Sequence, residues 1–193
     1  MKFLLAVVLS GILLFIWGAV SHEVVPLYKD SLMQFTNEDA VTQAILSNAA
    51  KSGVYFLPYV PQSAKGMNKE AFAASQEKAM NQLKHGPFFF GSVRLEESKS
   101  LAAYFVIQIM GDILCAFFLA LILLKCNEQS YWKRVMICVW VALAGFAVKS
   151  LPMWNWYSFS AAFTFAELID ITGRMFFGSL ILAKMIPSRR LEA

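Results

Sequence analysis

Phe159 to Ile186 reads FSAAFTFAELIDITGRMFFGSLILAKMI, an apolar run that carries Glu167, Asp170 and Arg174 in its interior. Spacings of three and four residues put these charged side chains on one helical face, with Phe163 and Gly178 on the same stripe. The remaining faces are apolar enough for lipid. An ionisable side chain at the bilayer centre costs about 2.5 to 3.5 kcal/mol on insertion scales, so it faces a bundle interior or a wet cavity. Other apolar segments of the chain are therefore expected to supply that interior.

Three more such segments are present: Phe3 to Val20, Leu101 to Leu124 and Val135 to Leu151. With residues 159–186 they give four expected transmembrane helices, each near the roughly 20 residues that cross about 30 Å of hydrocarbon. The third is short and the fourth long. Composition agrees, since the 193 residues are 58% hydrophobic and 15% aromatic. The expected fold class is membrane all-α, with four transmembrane helices and a small α/β extracytoplasmic domain inserted between helices 1 and 2. Residues 1–20 form helix 1, residues 21–100 the domain, and residues 101–193 carry helices 2–4 at 101–124, 135–151 and 159–186.

The charge distribution sets an expected orientation. Lys2, Lys125, Lys133, Arg134, Lys184, Arg189 and Arg190 fall on one side against Glu128 and Glu192, whereas residues 21–100 hold eight basic and eight acidic residues. The positive-inside bias then puts both termini in the cytoplasm and the inserted domain outside. The net charge of +4 has this topological origin and gives no indication of nucleic acid. Trp154, Trp156 and Tyr157 in the outer turn, and Tyr131 with Trp132 in the inner one, fit an aromatic belt. The first apolar run exceeds the usual h-region of about 7 to 15 residues, so an uncleaved anchor is expected rather than a signal peptide. Gly11, Phe15, Gly18 and His22 form a stripe down it, where the glycines permit a neighbour's close approach.

In the polar region, Thr36 or Asn37 is placed to cap a helix whose apolar face is Val41, Ile45 and Leu46. Val54 to Leu57 reads as a strand, Asn68 to Lys84 as a second helix ended by Gly86, and Phe88 to Leu95 as a second strand. About 80 residues with few large aliphatic side chains make a marginal core. Cys115, Cys126 and Cys138 all fall in or beside membrane segments, so no disulfide is expected to staple the domain.

Trp17-Gly18-Ala19-Val20-Ser21, Asn37-Glu38-Asp39-Ala40-Val41, Ser52-Gly53-Val54-Tyr55 and Gly86-Pro87-Phe88 together resemble a family of small uncharacterised bacterial inner-membrane proteins. The resemblance covers the first helix and the inserted domain. It implies a bacterial inner (plasma) membrane with residues 21–100 in the periplasm, and carries across no activity, cofactor or site residue.

Helix 2 contributes Gln108 and Asp112 on one face, and Asp112 and Asp170 each lie about 11 residues, or about 17 Å, from the outer ends of their helices. Arg174 sits about 6 Å deeper, within reach of both acids. Lys149, near the outer end of helix 3, either pairs with Glu167 or snorkels to lipid phosphate, the second being expected. Two readings of Gln108, Asp112, Glu167, Asp170 and Arg174 compete. One is a structural ion network that fixes the bundle or holds a partner; the other is a proton or cation pathway, suggested by the surplus carboxylate. Against transport, no internal repeat and no clearly broken helix is seen.

His22, Glu23 and His85 would make a metal site only if His85 folded onto helix 1, and no metal-ligand spacing or nucleophile motif accompanies them. The expectation is a non-enzymatic accessory or partner-binding subunit without cofactor or metal. Its surroundings are the lipid bilayer and a protein partner or a second copy of the chain, and a small transporter is the alternative.

Overall fold

The computed structural model describes residues 1–64 and 66–188. Arg189, Arg190 and Glu192, which enter the charge balance above, lie outside the described residues. The chain divides into two compact units, one formed by Met1–Met33 with Lys99–Ala193 and the other by Gln34–Ser98.

The first unit contains α1 (Lys2–Ala19) and three long helices later in the chain, which take the labels α4 to α6 because α2 and α3 precede them in the second unit. These are α4 (Leu101–Lys125), α5 (Tyr131–Tyr157) and α6 (Ala161–Met185). Three stretches, Lys2–Val24, Leu101–Lys125 and Tyr131–Tyr157, are long and apolar enough to cross a membrane. The fourth helix, α6, has 25 residues but carries Glu167, Asp170 and Arg174 within them. It packs against both α5 and α1, and α1 also packs against α4. The shared core is Ala6, Val7 and Leu14 of α1, Leu119 and Leu123 of α4, Cys138 of α5 and Leu182 of α6.

Small residues bring these helices together, as in bundles where close backbone approach replaces a solvent-driven hydrophobic term. A methyl group on Gly11 would sit 2.7 Å from the Ile113 Cα, and one on Gly178 would sit 2.6 Å from the Leu14 side chain. The Ser10 hydroxyl donates to the Gly178 carbonyl at 2.8 Å, satisfying a buried polar group across the α1–α6 contact.

Helix α5 is longer than residues 135–151. It begins at Tyr131 and runs through Pro152 to Tyr157, so Tyr131, Trp132, Trp154, Trp156 and Tyr157 are helical rather than in turns. Its first turn is held from outside by tertiary contacts. The buried Arg134 donates through Nη2 to the Ile186 carbonyl at 2.7 Å, and Tyr131 donates to the Leu180 carbonyl at 3.2 Å. A cation at the end of α6 also complements its dipole. At the other end, Ser158 adopts a left-handed conformation and Ser160 caps α6 by accepting from the Phe163 N–H at 3.1 Å. That short turn reverses the chain.

In the second unit, α2 (Glu38–Asn48) and α3 (Lys69–His85) start at the asparagines whose side chains accept from N3 amides. Asn37 accepts from Ala40 at 2.9 Å and Asn68 from Ala71 at 2.7 Å. Strands β1 (Gly53–Leu57) and β2 (Phe89–Val93) pair antiparallel, with Tyr55 opposite Gly91. The unit starts later than residue 21, because Ser21–Met33 belongs to the helical unit: the Leu27 N–H donates to the Ser21 carbonyl at 3.0 Å and Tyr28 stacks on His22. Its described residues bury little. Only Pro58 and Ala79 are buried, and Leu46, expected on the inner face of α2, is exposed.

Candidate functional site

The ion network assembles where α1, α4 and α6 meet. Arg174 donates from Nη1 to Asp112 Oδ1 at 3.0 Å, and its Nη2 lies 3.8 Å from Asp170 Oδ2. Gln108 donates to the other Asp112 oxygen at 3.1 Å. Asp112 is only 4% exposed, so these two donors supply much of what water would otherwise give it. Depth counting from the helix ends anticipates this meeting of Asp112, Asp170 and Arg174.

Helix α1 enters the network through residues whose role the sequence does not reveal. The Trp17 indole N–H donates to Asp170 Oδ1 at 3.1 Å and to the Asp170 carbonyl at 3.0 Å. The indole stacks on Phe177 at 4.8 Å and occupies space that a side chain on Gly173 would take. Gly173 is therefore a seat for the ring, within a continuous helix. Gly18 plays the same part for the cation, since a methyl group there would lie 2.7 Å from Arg174 Nη2.

Beyond Ala19 the helix widens into a π-helical turn over Val20–Val24, closed by the Val25 N–H donating to the Val20 carbonyl at 2.8 Å. Such turns re-aim side chains at functional sites. Here the turn carries His22, whose Nε2 lies 3.7 Å from Asp170 Oδ2 while half of its side chain stays exposed. Tyr28 folds back over this group, stacking on His22 at 4.9 Å and tilting against Phe163 at 5.3 Å. Burial pushes its phenol up to about 12, helped by the neighbouring Asp170 and Glu167 charges.

Glu167 stands apart from the centre. Lys149 Nζ lies 3.9 Å from its carboxylate, but that lysine side chain is 77% exposed, so the pair adds little stability and the ammonium remains free to reach outward. Glu23, which is exposed, lines a cavity of about 710 Å³ together with Asp112 and Arg174. His85 lies in the other unit, at the end of α3, and is not brought to His22 within either unit. Among the described residues no group of three or more His, Cys, Asp or Glu is placed to hold a metal ion.

Chemically, the arrangement is an arginine clamped by two carboxylates, each with further donors. Below it, toward the first turn of α1, the buried residues are mainly apolar: Ala6, Val7, Leu14, Leu119 and Leu123. The polar centre therefore opens to one end of the helical unit. Compared with known proteins, the chain matches no family model, no curated protein and no solved structure.

Proposed function

We propose that the chain is a four-span bacterial inner-membrane protein, with both termini cytoplasmic and Gln34–Ser98 periplasmic, that acts as a non-enzymatic accessory or partner-binding subunit. The observation that carries this is the surface of the second unit. Phe35, Val54 and Tyr59 are each more than half exposed there, while Pro58 and Ala79 are its buried residues among those described. A unit with so little core gains stability when a partner covers its exposed apolar side chains.

The buried network supports the same reading. Arg174 joins α4 to α6, and the Trp17 bond joins α1, so the polar groups fix the relative register of three helices. Interhelical polar contacts in a bilayer have this use. A transport role fits less well, because the residues buried between the network and the first turn of α1 are mainly apolar, Leu14, Leu119 and Leu123 among them.

Affinity purification of the full chain in mild detergent, followed by mass spectrometry, tests the proposal. A stoichiometric membrane complex, lost when Val54 and Tyr59 are both replaced by Ser, is expected. Purification of the chain without partner or second copy, together with proton or cation flux in liposomes, would overturn it in favour of transport.

A further inference from the structure

The cavity between α1 and α4 has a size that the ion network does not require. At about 710 Å³ it falls in the range of small-molecule sites, which combine apolar walls with a few convergent polar groups. Phe15 lines it from α1, and Tyr104 and Phe105 line it from α4. Among its other lining residues Glu23 is exposed, Arg174 half-buried and Asp112 buried.

Charge decides what this space accepts. The Arg174 guanidinium is already claimed by Asp112 at 3.0 Å and approached by Asp170 at 3.8 Å, so these two carboxylates balance Arg174 even with a charge on His22, which also lines the cavity and lies 3.7 Å from Asp170. Glu23 adds a further negative charge. An anion entering here meets net repulsion, whereas a cation is attracted by the surplus and meets aromatic rings suited to cation–π contact. Apolar walls strengthen both effects by lowering the local dielectric. A small hydrated metal ion would leave the aromatic walls unused, so the complementary ligand is bulky and apolar around its charge.

We propose that this cavity binds a lipophilic organic cation, of the quaternary ammonium or aromatic onium type. The ligand lays its apolar groups on Phe15, Tyr104 and Phe105, and its charge meets the surplus that Glu23 supplies.

The test uses two ions of nearly equal shape and opposite charge. The purified full chain in lipid nanodiscs is titrated with tetraphenylphosphonium and, separately, with tetraphenylborate, and empty nanodiscs supply the partition background. Saturable binding of one phosphonium per chain is expected, with the borate at least about tenfold weaker. Glu23→Gln should weaken phosphonium binding about fivefold, as loss of one partly solvated charge does. Tyr104→Leu, which keeps an apolar wall but removes the ring face, should weaken it by a similar factor. Equal affinity for both ions, partition without saturation, or wild-type binding in both variants would overturn the proposal. None of these results bears on partner binding, which rests on the second unit.

Discussion

Arg174 reaches Asp112 at a full hydrogen-bond distance and Asp170 only at 3.8 Å, whereas Asp170 has Trp17 as a donor and His22 nearby. The two acids therefore depend on the arginine unequally. Arg174→Leu leaves Asp112 buried with Gln108 as its remaining neutral donor, and should cost about 3 kcal/mol or more in bundle stability. Adding Asp112→Leu should recover most of that loss, and adding Asp170→Leu less of it, as read by thermal unfolding in detergent. Equal recovery by the two second changes would show that the arginine serves both acids alike. Asp170→Asn keeps its shape and hydrogen bonding, so normal accumulation with complete loss of function in that variant would instead favour a titrating role. Tyr28 gives a separate measure of the same centre. Its phenol is raised from 10.0 to about 12, so the neutral form is favoured in the fold. The stabilisation is complete below pH about 10 and is lost as pH rises through about 12. Tyrosinate absorbance of the wild type minus that of Tyr28→Phe should therefore show a proton released near pH 12; release near pH 10 would mean that the phenol is not buried beside Asp170.

Among the helices, three glycines separate interface from surface. Gly11 faces the backbone of Ile113, Gly18 faces the end of the Arg174 side chain, and a methyl group on Gly111 would have nothing within 4 Å. Gly11→Ala can be accommodated only by moving α1 away from α4, so it should destabilise most, by about 1 to 3 kcal/mol. Gly18→Ala displaces a side chain that two acids hold in place and should cost less, while Gly111→Ala should be neutral or slightly stabilising. Thermal melts of the three variants check the order, and a Gly111→Ala effect as large as that of Gly11→Ala would contradict the packing described. The elements themselves are largely legible in the sequence. Thr36 or Asn37 announces α2, since a cap is a local interaction, Asn68 is read as the first residue of a helix where the structure makes it the cap of α3, and hydropathy locates the apolar helices. The ends of α5 are not legible, because Tyr131 to Arg134 and Pro152 to Tyr157 look like boundaries by polarity. The helical state of the first of these stretches depends on Arg134 and Tyr131 reaching α6 carbonyls that lie about fifty residues away in the chain. For the same reason the sequence shows Asp112 and Asp170 at matching depth, with Arg174 about 6 Å deeper and within reach, but not Trp17 or Tyr28 beside them. An aromatic ring near a helix end reads as an interfacial anchor until packing shows which carboxylate it meets.

At the scale of the whole molecule, the second unit and the helical unit face different tests. With two buried residues among those described, an isolated fragment of residues 34–98 should show no cooperative thermal melt, and a sharp transition would establish it as an autonomous module. The number of crossings turns on α6, which carries Glu167, Asp170, Arg174 and Lys184 and is not among the three stretches long and apolar enough to cross a membrane. The four-span arrangement proposed above requires it to cross as well. Near one end Glu167 meets Lys149, which lies toward the C-terminal end of α5; at the other, Ile186 accepts from Arg134 in the first turn of α5, and Ser188 donates to Gln129 at 2.6 Å. Helix α6 therefore runs back along α5 and returns the chain to the end from which α5 started. Its Asp170 and Arg174 side chains are directed into the bundle, where Trp17 and Asp112 receive them, so in the proposed four-span arrangement the cost of carrying them through hydrocarbon would be offset by these partners. Reporter fusions should accordingly be periplasmic at Gln62, cytoplasmic at Glu128 and cytoplasmic again at Ser188. The first two positions report the orientation that Lys2, Lys125 and Lys133 favour by the positive-inside bias. A cytoplasmic signal at Gln62 would invert the arrangement. A periplasmic signal at Ser188, with the other two as expected, would leave three crossings and place α6 on the surface of the bilayer.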